Sequence, residues 1–368
     1  MKSIENLISI SIPYNKPSHH FRSISLATFT PSYRDKNMTG SATGLPNLYA
    51  VEIQAPDLKA YASGNTGIPY VWTFDSGIDG PHVAVTALVH GNELCGAHAL
   101  DWLMRMEVRP QRGRLSFAFV NIAAFELFDP EVPDGSRWVD EDFNRLWGPG
   151  VLSDLSRKKT EELRRAREIL PWLQTVDYLL DIHSMQHKTE ALMIAGPLKK
   201  GQDLACAVAP PRHVVCDNGH AEGVRMRDFG DFGDPTSPRN ALLVECGQHW
   251  ETESTEIAKD CAVNFLRHFG SVPNHFQAER MAQRPIVLRS EVYRVSGPVT
   301  VKTNDFRFAE DWRGFERLSK GTLIGHDGSE AVYAPHEPTV LIMPSRRLWP
   351  GKTAVRFAYP IDPAETHP

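Results

Sequence analysis

Two short stretches of the sequence carry side chains that bind metal ions in proteins. His90 and Glu93 lie three residues apart, directly after the apolar run 81–89, and His183 directly follows a second apolar run, 176–182. Two imidazoles and one carboxylate, from a short-spaced pair and one distant residue, are the protein ligands of a catalytic zinc ion that keeps its fourth position open for water. A plainer interpretation is that Glu93 lies at a polar helix N-terminus, where the helix dipole favours a negative charge. His183 would then only form a hydrogen bond at the end of a strand.

Two residues close to His183 bear on this hypothesis. His187, four residues further on, is a rival third ligand, but it lies beyond the predicted end of the strand and we rank it second. Asp181 would share a strand face with His183, because side chains alternate along a strand, and the sequence leaves its role open.

Another candidate is Glu245, which follows the apolar residues 242–244. A carboxylate at the end of a buried strand is partly removed from water, and this raises its pKa. Beside a metal-bound water it can act first as general base and then as general acid. The competing interpretation is that Glu245 forms an ion pair with a buried arginine.

The segment 137–145 mixes two arginines and an asparagine with carboxylates and aromatic residues. The planar guanidinium group of Arg137 or Arg145 can bind a carboxylate through two parallel hydrogen bonds, or stabilise an oxyanion without exchanging protons. Mixed-charge runs of this kind are also common in solvated loops, where the charges pair with one another.

These candidates need elements that bring them together, and the sequence around them alternates between strand and helix patterns. Short apolar runs predict four buried strands, at 81–89, 115–122, 176–182 and 241–245. Amphipathic or helically spaced stretches predict helices at 94–106, 158–173 and 253–269. This alternation predicts an α/β fold with a mainly parallel sheet, in which sites lie beyond the carboxyl ends of the strands.

The chain divides into three predicted parts. Residues 1–46 are rich in Ser, Thr, Pro and Asn and predict a flexible leader, with a targeting peptide as the alternative. Residues 47–272 hold all the candidate residues and predict the catalytic α/β domain. Residues 273–368 contain short β-prone stretches separated by Gly, Pro and Asp, and they predict a smaller β domain.

Composition and charge exclude several functional classes. The formal net charge of -5 and the lack of a nucleic-acid-binding motif argue against a nucleic-acid partner. No apolar run approaches the roughly 18 residues that span a bilayer, so we expect no membrane partner. The cysteines number 5, without a Cys-x-x-Cys pair, which disfavours a disulfide framework and indicates a reducing, cytoplasmic compartment. The sequence does not indicate an oligomeric state.

The four segments that hold these candidate residues, taken in chain order, resemble the succinylglutamate desuccinylase/aspartoacylase family, a branch of the zinc carboxypeptidase superfamily. The matching pieces are His90-Gly91-Asn92-Glu93, Arg137 with Asp142-Phe143-Asn144-Arg145, Asp181-Ile182-His183-Ser184, and Glu245 followed by Cys246-Gly247. Each motif is short, but their joint occurrence in order at strand ends is specific. The resemblance covers roughly residues 48–343.

The resemblance implies a zinc-carboxypeptidase-like, mainly parallel mixed sheet flanked by helices, with a smaller C-terminal β domain that narrows the cleft. It implies one Zn²⁺ per chain, bound by His90, Glu93 and His183.

The resemblance also implies a reaction, the hydrolysis of the amide bond of an N-acyl amino acid to a carboxylate and a free amine. Glu245 would be the general base, and Arg137 would polarise the scissile carbonyl. Asn144 and Arg145 would hold a carboxylate of the small-molecule substrate. The family's further substrate arginine does not align uniquely, because Arg225, Arg227 and Arg239 all precede Glu245.

Two alternatives remain open from the sequence. A metallocarboxypeptidase acting on peptides would use the same ligands and carboxylate clamp, although a β domain that narrows the cleft disfavours long substrates. A non-catalytic, metal-dependent small-molecule-binding protein would keep the ligands but would not need Glu245 or Arg137.

Overall fold

A computed structural model describes residues 49–364 of the chain, so the predicted leader at 1–46 lies outside the described residues. The helices are α1 Leu94–Arg105, α2 Ile122–Phe125, α3 Glu161–Leu173, α4 Lys199–Val208, α5 Thr252–His268 and α6 Ala278–Ala282. The strands are β1 Val71–Asp75, β2 His82–Ala87, β3 Arg114–Phe119, β4 Tyr178–Met185, β5 Leu192–Ile194, β6 His213–Cys216, β7 Asn240–Gln248, β8 Glu291–Thr300, β9 Phe306–Phe308, β10 Arg317–Leu318, β11 Leu323–Asp327, β12 Glu330–Tyr333, β13 Thr339–Ile342 and β14 Thr353–Ile361.

Eleven of these strands form one mixed sheet in the order β1-β3-β2-β4-β7-β5-β6-β8-β14-β13-β10. The centre is parallel, since β2 pairs in parallel with both β3 and β4, and β4 pairs in parallel with β7. Strand β5 runs antiparallel to β7, and β6 and β8 then continue in parallel with β5. The predicted α/β fold with a mainly parallel, mixed sheet is therefore confirmed.

The central strands form because they are apolar enough to be covered on both faces. All six residues of β2 and all nine of β7 are buried. Alternate residues of β2 enter different cores: Val83 and Val85 pack on the side of α1 and α5, and Ala84 packs on the side of α3. Full burial of a valine side chain contributes about 1.5–3 kcal/mol to stability.

The three predicted helices are confirmed as α1, α3 and α5. Helix α3 begins where the Thr160 side chain accepts a hydrogen bond from Leu163 N, 3.1 Å away, and so caps its N-terminus. Helices α2, α4 and α6 were not among the predicted elements. No helix within residues 49–364 is both long enough and apolar enough to cross a membrane.

The C-terminal residues are rich in strands, as expected, but they do not form a separate main sheet. Strands β8, β14, β13 and β10 extend the large sheet, and β8 pairs in parallel with β6. Strands β12, β11 and β9 form a smaller antiparallel sheet of their own. The division of the chain at residue 272 stays a prediction, since hydrogen bonds of one sheet cross it.

Candidate active site

The strand order explains why distant candidate residues meet. Strands β2, β4 and β7 are neighbours and run in the same direction, so their carboxyl ends lie at one edge of the sheet. His90 follows β2 by three residues, and His183 in β4 is paired directly with Glu245 in β7. Three segments that are about 60 to 90 residues apart in the chain therefore supply one site.

His90, Glu93 and His183 form a compact buried cluster. Glu93 lies between the imidazoles: His90 Nδ1 is 2.7 Å from Glu93 Oε1, and His183 Nδ1 is 2.8 Å from Glu93 Oε2. All three potential ligand atoms lie within 4.8 Å of one another. Burial raises the pKa of Glu93, but the adjacent imidazoles outweigh that effect and hold the pKa well below its usual range.

This donor set fits a zinc ion. Ligand atoms about 2.0–2.2 Å from a tetrahedral zinc stand roughly 3.4 Å from one another, which requires only small shifts of these three side chains. The exposed fraction of each residue is 4% or less, so few water molecules compete for the ligand atoms. The two imidazole nitrogens and the carboxylate are the residue types that zinc prefers.

Each imidazole also has a carboxylate at its second ring nitrogen. His183 Nε2 lies 2.8 Å from Asp181 Oδ2, and His90 Nε2 lies 3.0 Å from Asp142 Oδ1. Asp181 is itself fixed by Thr86, whose hydroxyl donates to Asp181 Oδ1 at 2.7 Å. Partners of this kind fix the ring orientation and raise the basicity of a metal-binding histidine. The sequence left the role of Asp181 open, and the structure places its carboxylate where it can orient His183.

Glu245 lies beside the cluster but outside its network of close contacts. It is 8% exposed, and its Oε2 atom has no hydrogen-bond partner within residues 49–364. Burial, with a further contribution from the negative charge of Glu93, raises the pKa of Glu245 to about 8. A carboxyl group with such a pKa can both accept and release a proton near neutral pH.

Arg137 reaches the same cluster from the loop that follows α2. Its Nη1 donates to Glu93 Oε1 at 3.0 Å, and its Nη2 lies 3.0 Å from His90 Nε2. The loop is tied to the turn that carries His90 and Glu93, because Gly91 N donates to Arg137 O at 3.2 Å. A Cβ atom on Gly91 would lie 2.3–2.4 Å from neighbouring backbone atoms, so only glycine fits at this close approach.

Glu162, which sequence reasoning missed, holds the next part of this loop. Its carboxylate accepts hydrogen bonds from the backbone N–H groups of residues 139, 140 and 141, at 2.7, 3.0 and 3.2 Å. Asn121 Nδ2 donates to the same carboxylate at 3.1 Å. Nothing in the sequence around Glu162 predicts these hydrogen bonds, because only the tertiary structure brings helix α3 beneath the loop.

Asn144 and Arg145 line the same cavity as the cluster. The side-chain oxygen Oδ1 of Asn144 is already engaged, since it accepts a hydrogen bond from Met226 N at 2.8 Å. Its amide Nδ2 makes no hydrogen bond within the described part of the chain, so it can donate to a ligand. Arg145 Nη2 is 3.7 Å from Asp142 Oδ2. The structure thus brings all seven predicted site residues to one cavity.

His187 does not join the cluster. Its Nδ1 atom lies 2.5 Å from the Tyr49 hydroxyl and accepts from Arg346 Nε at 3.2 Å, while its Nε2 donates to Trp312 O at 3.0 Å. Both ring nitrogens are therefore engaged with residues of other segments of the chain.

The three arginines that precede Glu245 lie in different places. Arg225 lines the cavity, and its guanidinium group is paired with Asp217 at 2.6 Å. Arg227 is buried and donates to the carbonyl oxygens of residues 195 and 241, at 3.0 and 2.5 Å. Arg239 is not among the lining residues. Of the three, Arg225 alone lines the cavity.

The cavity has a second set of cations that sequence reasoning did not find. Arg347, Lys352 and Arg356 come from the turn before β14 and from β14 itself, more than 100 residues after Glu245. Four basic residues within 346–356 were a weak signal for such a surface. Nothing in their spacing indicated that β14 would lie near the carboxyl end of β7.

A family model and two known proteins match the sequence of this chain. The family model of the succinylglutamate desuccinylase/aspartoacylase catalytic domain matches residues 79–263, about half of the chain. The succinylglutamate desuccinylase of Pseudoalteromonas atlantica is 21% identical over 312 residues, which cover 76% of this chain and 81% of the relative. The human N-acyl-aromatic-L-amino acid amidohydrolase (carboxylate-forming) is 24% identical over 281 residues, which cover 68% of this chain and 83% of the relative.

Solved structures show the same fold. Murine aminoacylase 3 superposes with a TM-score of 0.55 at 19% identity, covering 77% of this chain and 96% of that chain. A succinylglutamate desuccinylase/aspartoacylase from Rhodobacter sphaeroides superposes with a TM-score of 0.57 at 19% identity, covering 80% and 89% of the two chains.

Proposed function

Because the chain belongs to the succinylglutamate desuccinylase/aspartoacylase family, we propose that it is a zinc-dependent deacylase. It hydrolyses the amide bond of an N-acyl amino acid and releases a carboxylate and a free amine. The observation that carries this proposal is the position of Glu245, which is paired with His183 across two strands and lies beside the His90–Glu93–His183 cluster with an unpaired oxygen.

His90, Glu93 and His183 would hold one zinc ion per chain. When bound, zinc supplies a Lewis acid that polarises a carbonyl group and makes a water molecule more acidic. Asp181 and Asp142 keep the two imidazoles in position for it.

Glu245 would carry the proton through the reaction. Its Oε2 atom takes a proton from the attacking water as the new carbon–oxygen bond forms. The same atom then returns that proton to the amide nitrogen as the carbon–nitrogen bond breaks, so that the amine leaves in neutral form. Its raised pKa, about 8, and its burial support this assignment.

The arginines and Asn144 would bind and polarise the substrate. The Arg137 guanidinium lies next to the cluster, where its positive charge stabilises the negative charge that develops on the carbonyl oxygen. Arg145 and the free amide Nδ2 of Asn144 would hold the carboxylate of the amino acid. Fixing the substrate at both ends keeps the amide close to Glu245.

We also propose the division of the chain at residue 272 and a cytoplasmic location. All seven proposed site residues come from the part at 47–272, while the part at 273–368 contributes cations to the cavity wall. The five cysteines are all free, and this supports a reducing compartment, the cytoplasm.

A substrate panel tests the proposal. The protein would be incubated with N-acetyl, N-succinyl and other N-acyl amino acids, with blocked dipeptides and with longer peptides, and the release of free amine would be measured. We expect hydrolysis of at least one N-acyl amino acid, loss of that activity with a chelator, and recovery with added zinc. Release of C-terminal residues from long peptides would instead identify a carboxypeptidase. Stoichiometric substrate binding without hydrolysis would identify a non-catalytic binding protein.

A further inference from the structure

A buried carboxylate without a neighbouring cation lies under the loop that carries Arg137. Glu162, in the first turn of α3, is 0% exposed. Within residues 49–364, no lysine, arginine or histidine nitrogen lies within 4.0 Å of its carboxylate oxygens. Removing such a charge from water without a counterion costs stability, and the dipole of α3 offsets only part of that cost. The carboxylate therefore depends on the hydrogen bonds that it accepts.

Four N–H groups compensate the charge of Glu162. Three belong to the consecutive backbone positions 139, 140 and 141, and the fourth is Asn121 Nδ2. An ionised carboxylate only accepts hydrogen bonds, so it matches all four donors. Since three of the donors are backbone groups of one loop, the carboxylate fixes the path of that loop.

The loop returns hydrogen bonds to the start of α3. Asp140 Oδ2 accepts from Glu161 N at 2.9 Å. The Glu141 carboxylate accepts from the Thr160 hydroxyl. Residues 139–141 and 160–162 thus hold each other in both directions, and we call these two segments the clasp.

The clasp completes a ring of hydrogen bonds around Arg137. On one side, Arg137 O accepts from Gly91 N, in the turn after β2, at 3.2 Å. On the other side, the chain continues into the clasp, where Glu162 also binds Asn121 Nδ2 at 3.1 Å. Asn121 N in turn donates to Leu88 O, at the start of the turn after β2, at 2.8 Å. Both ends of the ring therefore reach the same turn, and Arg137 lies between them.

Asn144, at the other end of the loop, has anchors of its own. Its Oδ1 atom accepts from Met226 N at 2.8 Å, and its backbone N donates to Asp142 Oδ1 at 2.9 Å. Neither hydrogen bond involves the clasp. Loosening the clasp should therefore displace Arg137 more than Asn144.

We propose that Glu162 is a positioning residue, which acts on the reaction through Arg137. Glu162 does not line the cavity. It fixes the loop so that the Arg137 guanidinium stays beside the His90–Glu93–His183 cluster, where negative charge would develop on the carbonyl oxygen. A displacement of about 1 Å at such a group is enough to lower kcat strongly. This inference rests on the proposed deacylase function and deepens it.

Glu162→Gln tests this role. The substitution keeps the size of the side chain, but its amide nitrogen would face an N–H donor. On zinc-loaded protein and an N-acyl amino acid that the wild type hydrolyses, we expect kcat to fall about 10- to 100-fold and KM to stay within about threefold. Bound zinc should not change. Glu161→Gln is the matched control, because the Glu161 carboxylate contacts Arg164 on the same helix, and it should keep the wild-type kcat.

A double-mutant cycle distinguishes positioning from a general structural defect. Arg137→Met alone should lower kcat about 10²- to 10³-fold. If Glu162 acts through Arg137, adding Glu162→Gln to Arg137→Met should lower kcat by no more than about a further twofold. Losses that multiply in the double variant, or a normal kcat in Glu162→Gln, would overturn the proposal.

Two measurements need no turnover. Hydrogen exchange followed by mass spectrometry should show the amides of residues 139–141 exchanging about tenfold or more faster in Glu162→Gln than in wild type or Glu161→Gln. Calorimetry with acetate, the carboxylate product of an N-acetyl amino acid, should show weaker binding in Glu162→Gln and in Arg137→Met, and no further weakening in the double variant.

These measurements keep the proposal distinct from the proposed function. If no N-acyl amino acid is hydrolysed, the deacylase function fails, while acetate binding still decides whether Glu162 acts through Arg137. Wild-type exchange or wild-type acetate affinity in Glu162→Gln would reject the proposal. Glu162→Asp keeps the charge on a shorter side chain and should give smaller changes of the same kind; it carries the test if Glu162→Gln does not fold.

Discussion

The two halves of the cavity are built on different electrostatic principles. The half at the ends of β2, β4 and β7 holds carboxylates and imidazoles, in which each imidazole nitrogen already has a carboxylate neighbour. The half supplied by the turn before β14 and by β14 holds cations, one of which has no carboxylate partner within residues 49–364. The first half suits a divalent cation and the second suits an anion.

The halves also differ in how firmly their side chains are held. His90, Glu93 and His183 are nearly inaccessible to solvent, and they lie in β4 or directly after β2, two strands of the sheet centre. Arg347 and Lys352 lie on a turn, and their side chains are 23% and 40% exposed. We infer that the strand-end half performs the chemistry, which needs fixed geometry, and that the C-terminal half selects the substrate.

Replacing a proposed ligand tests the strand-end half most severely. His183→Ala removes one of three ligands and should reduce bound zinc from about one per chain to near zero, with loss of all measurable hydrolysis. Elemental analysis after dialysis measures the metal. The matched control is His187→Ala, which should keep the metal because both of its ring nitrogens are engaged elsewhere. Metal loss in the control but not in His183→Ala would show that the ligand set is wrong.

Replacing the proposed base should separate catalysis from binding. Glu245→Gln keeps the size of the side chain but cannot carry a proton, so kcat should fall about 10²- to 10⁴-fold while KM changes little. Steady-state kinetics on the zinc-loaded protein measure both values. Glu190→Gln changes an exposed carboxylate and serves as the control. Near-normal turnover in Glu245→Gln would remove Glu245 from the mechanism.

Replacing a residue that orients a proposed ligand should lower the zinc affinity less than replacing the ligand itself. Asp181→Asn weakens the contact that orients His183, and zinc affinity should drop about 10- to 100-fold. Competition with a chelating dye gives the affinity, and Asp203→Asn on the surface of α4 is the control. An unchanged affinity would mean that Asp181 serves only to join β4 to Thr86 of β2.

His220 lies against Arg356 in the cavity wall, and we expect it to make the free energy of unfolding depend on pH. Burial and nearby positive charges lower the pKa of His220 to about 2 in the folded protein, compared with an ordinary value of 6.5. Below pH 6.5 the unfolded chain therefore binds a proton that the folded chain excludes, so the free energy of unfolding decreases as the pH falls. His220→Gln should show a smaller decrease between pH 7 and pH 4, measured by denaturant unfolding. His326→Gln, at an exposed position on β11, should behave like wild type, and an identical decrease in His220→Gln would contradict the prediction.

Sequence patterns, together with the family resemblance that they carry, predicted which residues meet in the strand-end half. Apolar runs that end in His90, His183 and Glu245 mark buried strands, and parallel neighbours expose their carboxyl ends at one edge. Helices α1, α3 and α5 were equally clear, because helical spacing of apolar residues is a local property.

Tertiary structure decided the remainder, since strand order and register are set by packing between segments that are far apart in the chain. It placed Glu162 beneath the loop of Arg137, gave Asp181 and Asp142 their imidazole partners, and paired His187 with Trp312. It also brought β14, and with it Arg356, into the sheet that carries Glu245. A single charged residue has no periodicity, so its partners become known only when the chain has folded.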